Sequence, residues 1–475
     1  MIQTTDLLQI IPLLIISGAA VLTLVIDAFS KNKNFVFWFS LLSVIAALAF
    51  AMSNINYNSI ILNNFIKVSI LSNTFIILIL TSIIISIIAS KNYIEKEGIN
   101  FGEYYSLMLF SVMGMVLMVQ ANDLLIVFLG LELMSICFYV LAGFMRKRTW
   151  SNESAMKYFL LGAFMTGFLL FGIALMYGAA VTTNISIIAS TPALKTNAVF
   201  LIGLCLFLLG FFFKLGIFPF HMWIPDVYEG APTTVTGMMS TAGKIAAVGI
   251  LLPIVISTNI AEFRVIFSTA AILTMLFGNV IAIAQTNIKR LLAYSSVASA
   301  GYIMVGIAAM NDLSIKGITY YLIAYVFMQL GAFIVVSIIE QNSKDTNKFS
   351  NLSLNDYKGL AKNNPVLAIF LTIFLFSLAG IPPFAGFWGK YYLFYAAIQA
   401  NLIWLSIIGI TLSVISVYYY IKVIVYMWFQ DAEDAAHAER TYTTPAFASV
   451  AITLSIIGTL VFGLFPEIFF NFFKV

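Results

Sequence analysis

Apolar runs of about twenty residues repeat from one end of the chain to the other, separated by short polar stretches. A helix of that length crosses a bilayer's hydrocarbon core of about 30 Å. The runs predict fourteen helices, at 7–29, 35–53, 70–90, 104–120, 123–144, 153–180, 198–225, 233–257, 263–284, 288–309, 315–340, 365–400, 403–429 and 446–472. The longest polar stretches, 341–364 and 430–445, read as loops. The expected fold class is therefore an all-α integral membrane protein forming one polytopic membrane domain over 1–475.

Composition supports this. The chain is 61% hydrophobic and 9% charged, too few charges to cover a soluble protein of 475 residues. The placement of the basic residues tests the helix count. Connections after odd-numbered helices hold Lys31, Lys33, Lys91, Lys96, Arg146, Lys147, Arg148, Lys289, Arg290, Lys344, Lys348, Lys358, Lys362 and Arg440. Even connections and the C-terminal tail hold Lys67, Lys195, Arg264, Lys316 and Lys474. The positive-inside rule then makes the odd connections cytoplasmic and puts both termini on the periplasmic side. The opening MIQTTDLLQIIPLL has no basic n-region, so cleavage as a signal peptide is not expected.

Five basic residues fall inside spans: Lys157, Lys214, Lys244, Lys390 and Lys422. Glu132, in VFLGLELMSICF, is the acid placed mid-span, whereas Asp27 and Asp123 lie near helix ends. A charge at the bilayer centre costs about 2.5–3.5 kcal/mol on the lenient scales, so such residues usually face a bundle interior or a water path. Lys157 and Lys422 stand nearer helix ends, where a lysine can snorkel. Two spans carry related breaks, KLGIFPF at 214–220 and LAGIPPF at 378–384. Proline removes a backbone donor and clashes with the preceding turn. Matching breaks in two halves point to a transporter fold built from inverted repeats.

These residues suit proton movement. Burial favours a neutral lysine and a nearby carboxylate favours a charged one, so a buried Lys–Glu pair is a switch. His221, just after the first break, is a candidate relay. His437, in DAEDAAHAER, reads as solvated loop. The bland alternative is that the buried charges pair to hold helices together, but such pairs stabilise poorly beside apolar packing. Cys137 and Cys205 read as core-packing residues, with no metal or cluster spacing. No GxGxxG or GxxxxGK[ST] loop is present, so energy for pumping must come from a partner or an ion gradient.

Several segments resemble a known family: GLELMSICFYVLAG, ESAMKYFLLGAFMTGFLLFGIALMYG, FKLGIFPFHMWIPDVYEGAPTTVTG, KIAAVG, KRLLAYSSVASAGY and LFSLAGIPPFAGFWGKYYLF. They are similar to subunit N of the bacterial NADH-quinone oxidoreductases (respiratory complex I). PDVYEGAP is the most discriminating piece, because sister antiporter-like subunits usually carry a PDAH-type sequence there. The resemblance implies helices 1–3 over 1–103 and two inverted five-helix repeats, helices 4–8 over 104–257 and 9–13 over 258–430. Helices 7 and 12 would be broken, and a cytoplasmic loop with helix 14 would fill 431–475. It implies proton translocation through Glu132, Lys157, Lys214, Lys244 and Lys390, driven by quinone reduction elsewhere in the complex. NADH, FMN, iron–sulfur clusters and quinone would all bind partner subunits, and no metal or cofactor this chain. The implied partners are neighbouring K- and M-type subunits and the lipid of a bacterial plasma membrane, not nucleic acid. One departure stands out: Ser299 occupies a position where the family commonly has histidine. A serine cannot hold a proton near neutral pH, so water or Tyr302 would have to substitute.

Three other readings remain open on the residues alone. A free-standing or Mrp-type cation/proton antiporter would share the buried lysines. A structural spacer would tolerate loss of Lys214. A solute carrier would show an aromatic or polar substrate cavity.

Overall fold

A computed structural model describes residues 4–30, 32–341, 352–431 and 442–473. Thirteen of its helices are long and apolar enough to cross a membrane. A further crossing consists of two half-helices, Pro365–Ala379 and Ala385–Gln399. Together these match the fourteen expected spans. The last expected span divides into Ala446–Leu464 and Glu467–Phe473, because Pro466 disfavours helical backbone at the residue before it. A small hairpin, Ser59–Ile61 paired antiparallel with Ile66–Val68, was not expected. Its turn places Leu62, Asn63 and Asn64 at positive φ. His437 lies outside the described residues.

The two sets of connections meet among themselves. Arg148 pairs with Glu97, and Asn287 forms a backbone bridge with Ser353, all in connections after odd-numbered spans. On the other side Ile66 bridges to Ala121 and Asp123 to Asn184. The basic connections therefore gather on one face.

Burial sorts the helices into centre and rim. Asp312–Gln341 is buried along its whole apolar window, Ile288–Ala309 and Thr233–Thr258 nearly so, and Ile70–Lys96 along most of it. Ile11–Phe29, Thr149–Ala180 and Ile403–Phe429 leave most of theirs uncovered, as lipid-facing helices do. Small residues bring helices close where lipid gives no hydrophobic drive to associate. A Cβ on Gly130 would sit 2.7 Å from the Gly114 carbonyl, and one on Gly172 2.6 Å from that of Gly203.

Both broken helices end in the same way. Ala198–Leu215 stops at Gly216 (φ +73°) and Pro365–Ala379 at Gly380 (φ +84°), a left-handed conformation glycine adopts without a Cβ clash. Ile217 N donates to Phe212 O and Ile381 N to Phe376 O, the six-residue closure of a Schellman cap. A cis X-Pro bond follows in each, Phe218–Pro219 and Pro382–Pro383. The heptamer similarity thus corresponds to one backbone motif used twice.

Candidate functional site

Lys214 lies one residue before the first break, in the last turn of its helix. Its side chain is buried, and its ammonium stands over the rings of Tyr158 (5.1 Å), Tyr139 (5.2 Å) and Phe213 (5.8 Å). Tyr158 is pinned by stacking on Trp223 at 4.3 Å, and Trp223 Nε1 donates to Phe213 O at 2.9 Å. Glu132 lies on the Leu124–Ala142 helix two turns before Tyr139, on the same face. No hydrogen bond joins Glu132 to Lys214. Lys214 Nζ, Glu132 Oε1 and Tyr139 Oη are all buried without a hydrogen-bond partner among the described residues. Clustered orphans of this kind are what internal water satisfies.

Lys244 follows a π-helical turn, Met239–Gly243, in the middle of the eighth span. Such turns recur at functional sites. The ammonium donates to Ser296 Oγ at 2.6 Å and to the Ser296 carbonyl. Tyr325 Oη donates to the same Ser296 Oγ at 2.9 Å. Ser296 therefore serves both Lys244 and a central tyrosine.

Lys390 sits on the half-helix after the second break. It donates to Ser413 Oγ and to the Ala379 carbonyl, each at 2.9 Å. That carbonyl is free because the helix ends there. The ammonium stands 4.8 Å over the Tyr302 ring. An apolar cleft of about 420 Å³ between the Ala385–Gln399 and Ile403–Phe429 helices is lined by Lys390, Phe394, Tyr395 and Ser413.

Between Lys244 and Lys390 lies a set of buried hydroxyls of which the sequence singled out only Tyr302. Ser295, next to Ser296, shares a 2.5 Å hydrogen bond with Tyr420. Tyr420 and Tyr419 have ring centroids 4.4 Å apart. Tyr419 donates to Asn279 Oδ1 at 3.0 Å, and Asn279 Nδ2 donates to Tyr302 Oη at 3.3 Å. The Tyr302 ring lies under the Lys390 ammonium, whose hydrogen-bond partner is Ser413. Tyrosines in apolar runs read as core aromatics, and the signal available was their crowding in VYYYIK. Ser299 is buried beside Tyr321.

Lys157 stands apart from these three lysines. It is partly exposed and pairs with Glu153 and Asp226, each at 2.8 Å. Asp226 also takes Arg290 at 2.9 Å, and Arg290 reaches Glu229 at 2.7 Å. PDVYEG thus clamps the helix after the first break to the Thr149–Ala180 and Ile288–Ala309 helices. Partial burial pushes the Asp226 carboxyl up, but Lys157 and Arg290 outweigh it and hold it below the usual carboxylate range. His221 is buried, its Nδ1 has no partner among the described residues, and its ring lies 5.6 Å from that of Phe218. Lys422 donates to the Ile283 and Gln285 carbonyls at a helix end, as a snorkelling lysine does. Cys137 is buried as expected, whereas Cys205 is exposed on its helix rather than packed in the core.

Residues 121–416 match the family model "NADH:quinone oxidoreductase/Mrp antiporter, TM". NADH-quinone oxidoreductase subunit N of Trichlorobacter lovleyi is 42% identical, covering 99% of this chain and 96% of that one. A chain of respiratory complex I from Thermus thermophilus superposes with TM-score 0.83 at 29% identity, covering 97% of this chain and 99% of that one. A chain of the Mrp complex from Dietzia sp. gives TM-score 0.84 at 20% identity, covering 98% and 96%, a likeness of fold. Fold likeness extends to both, but near-full-length identity at this level separates complex I from the antiporter alternative. The chain belongs to the NADH-quinone oxidoreductase subunit N family, the antiporter-like, multi-pass membrane subunits of respiratory complex I.

Proposed function

We propose that this chain carries protons through its buried lysines, as a non-redox translocase subunit. The observation that carries the reading is the state of Glu132 and Lys214. A structural ion pair would be in contact, because a buried pair offsets its desolvation only with good geometry and filled hydrogen bonds. Here both groups keep a buried polar atom without a partner among the described residues, and the ammonium rests on aromatic faces instead. Approach of the carboxylate favours the ammonium form, and its withdrawal favours proton release. Lys244 and Lys390 are the next stations, with Ser295, Tyr420, Tyr419 and Tyr302 lying between them, Asn279 orienting two of the hydroxyls, and internal water carrying the proton across the steps that no hydroxyl bond spans. Lys157 belongs to the charge cluster around Asp226, and His221 is a buried side branch.

NADH oxidation, with its FMN and iron–sulfur clusters, and quinone reduction belong to partner subunits in this reading. The adjoining membrane subunits are of the K and M types. The setting is a bacterial plasma membrane, with the basic face cytoplasmic and both termini periplasmic. The test is redox-driven proton uptake by vesicles carrying the assembled complex, with Lys214→Ala and Glu132→Ala beside wild type. Both variants are expected to assemble and to translocate fewer protons per NADH. Wild-type ratios in both would overturn the reading.

A further inference from the structure

We infer that Lys244 is filled from the basic face through an inlet walled by the Ile70–Lys96 helix, which lies outside both repeats. The inlet runs from Glu340 past Thr233 and Gln329 to Thr241. This rests on the proton-translocation reading above and adds a route and its residues.

The Ile70–Lys96 helix carries Ser82, Ser86, Ser90 and Tyr93 at spacings of 4, 4 and 3, one polar stripe on a mostly buried helix. The stripe meets the eighth span at both ends. At the basic face, half-buried Glu340 accepts from Thr233 Oγ1 at 2.5 Å and from Tyr93 Oη at 3.2 Å. One residue further, Thr234 bonds Tyr104 Oη at 3.1 Å, which bonds Ser90 Oγ at 3.0 Å. At depth, Ser82 Oγ bonds Thr241 Oγ1 at 2.8 Å, one turn before Lys244. Thr233 and Lys244 are about 16 Å apart along the helix axis, at ~1.5 Å per residue.

A second, independent observation fills the interval. Gln329 is fully buried, and neither its Oε1 nor its Nε2 has a partner among the described residues. It follows Tyr325 by four residues and precedes Glu340 by eleven, which places all three on one face of the Asp312–Gln341 helix. Tyr325 touches the Lys244 site and Glu340 touches Thr233, so Gln329 lies between the two levels. An amide with both ends orphaned in a buried setting calls for internal water. Water there, with the Thr and Ser hydroxyls, each accepts one proton and passes on another. Glu340 releases the proton, neutral Lys244 takes it up, and Glu340 is reprotonated from solvent.

The experiment is NADH-driven proton uptake by vesicles carrying the assembled complex, expressed per NADH oxidised, with assembly verified in each sample. Thr241→Val and Gln329→Leu are compared with Lys244→Ala. Ser82→Ala breaks the same bond as Thr241→Val from the other helix and replaces it if that variant fails to assemble. The expected result is that the ratio falls as far as in Lys244→Ala, while Thr241→Ser, which keeps the hydroxyl, holds the wild-type ratio. The inlet is overturned if Thr241→Val (or Ser82→Ala) and Gln329→Leu keep the wild-type ratio while Lys244→Ala loses it. A wild-type ratio in Lys244→Ala itself would instead overturn the reading of Lys244 as a station, and the inlet with it.

Discussion

Tyr419→Phe removes one oxygen from the middle of the path and leaves the ring in place. The hydroxyl is buried and donates to Asn279 Oδ1 at 3.0 Å. Its loss leaves that acceptor orphaned, which costs about 1–3 kcal/mol of stability for a buried group. Asn279 keeps its donation to Tyr302, so the amide stays oriented from one side. A double-mutant cycle with Asn279→Ala isolates the shared bond. The two losses should sum to more than the loss in the double variant, by about 1 kcal/mol. Function should change more than stability, because the Tyr419 hydroxyl stands between Tyr420 and the Asn279–Tyr302 pair. Proton uptake per NADH in the assembled complex should fall to the level of Lys390→Ala, with NADH oxidation by an artificial acceptor unchanged. A wild-type ratio in Tyr419→Phe beside a reduced one in Lys390→Ala would refute the tyrosine link.

Further expectations follow from single contacts. Tyr158→Leu removes the nearest ring under the Lys214 ammonium, a cation–π contact of about 0.5–2 kcal/mol; it should lower proton uptake per NADH without blocking assembly. Asp226→Asn should loosen the clamp to Lys157 and Arg290 by about 1 kcal/mol, in the range of partly exposed pairs, as read by thermal unfolding of the complex. The Asp226 carboxyl is held low, so its contribution is complete above about pH 4, the ordinary carboxylate range, and is lost as pH falls through its own lower value. The wild-type advantage over Asp226→Asn should therefore shrink with acidification, and an advantage that grew would contradict the clamp. Gly386→Ala would place a Cβ 1.8 Å from the Ser377 carbonyl, a backbone clash beside the second break. At about 1–3 kcal/mol for overpacking, it should reduce the assembled complex seen on native gels.

How much of this was legible depended on the kind of signal. Apolar length and basic asymmetry gave the spans, because a bilayer imposes both. The paired breaks were visible in Gly-Ile-x-Pro-Phe, since glycine and proline state backbone geometry directly. Lys214, Lys244 and Lys390 stood out because a lysine in an apolar run has few structural uses. Lys157 was already set apart in sequence by its place near a helix end, but its partner Asp226 is chosen by tertiary contact. Tyr302 was singled out only through the Ser299 departure, and Tyr419, Tyr420 and Asn279 were hidden because an aromatic or amide in a membrane helix is ordinary until its hydrogen bond is seen. The hairpin at 59–68 was missed because its three-residue strands are too short for an alternating pattern to register.

The most direct test of the central claim is proton uptake per NADH by vesicles carrying the complex with Lys214→Ala or Glu132→Ala, with assembly and acceptor-linked NADH oxidation measured in the same samples. The account predicts normal assembly and oxidation with reduced uptake in both variants. Full uptake in both would mean that the Glu132 carboxylate and the ring-seated ammonium are structural, and would contradict it.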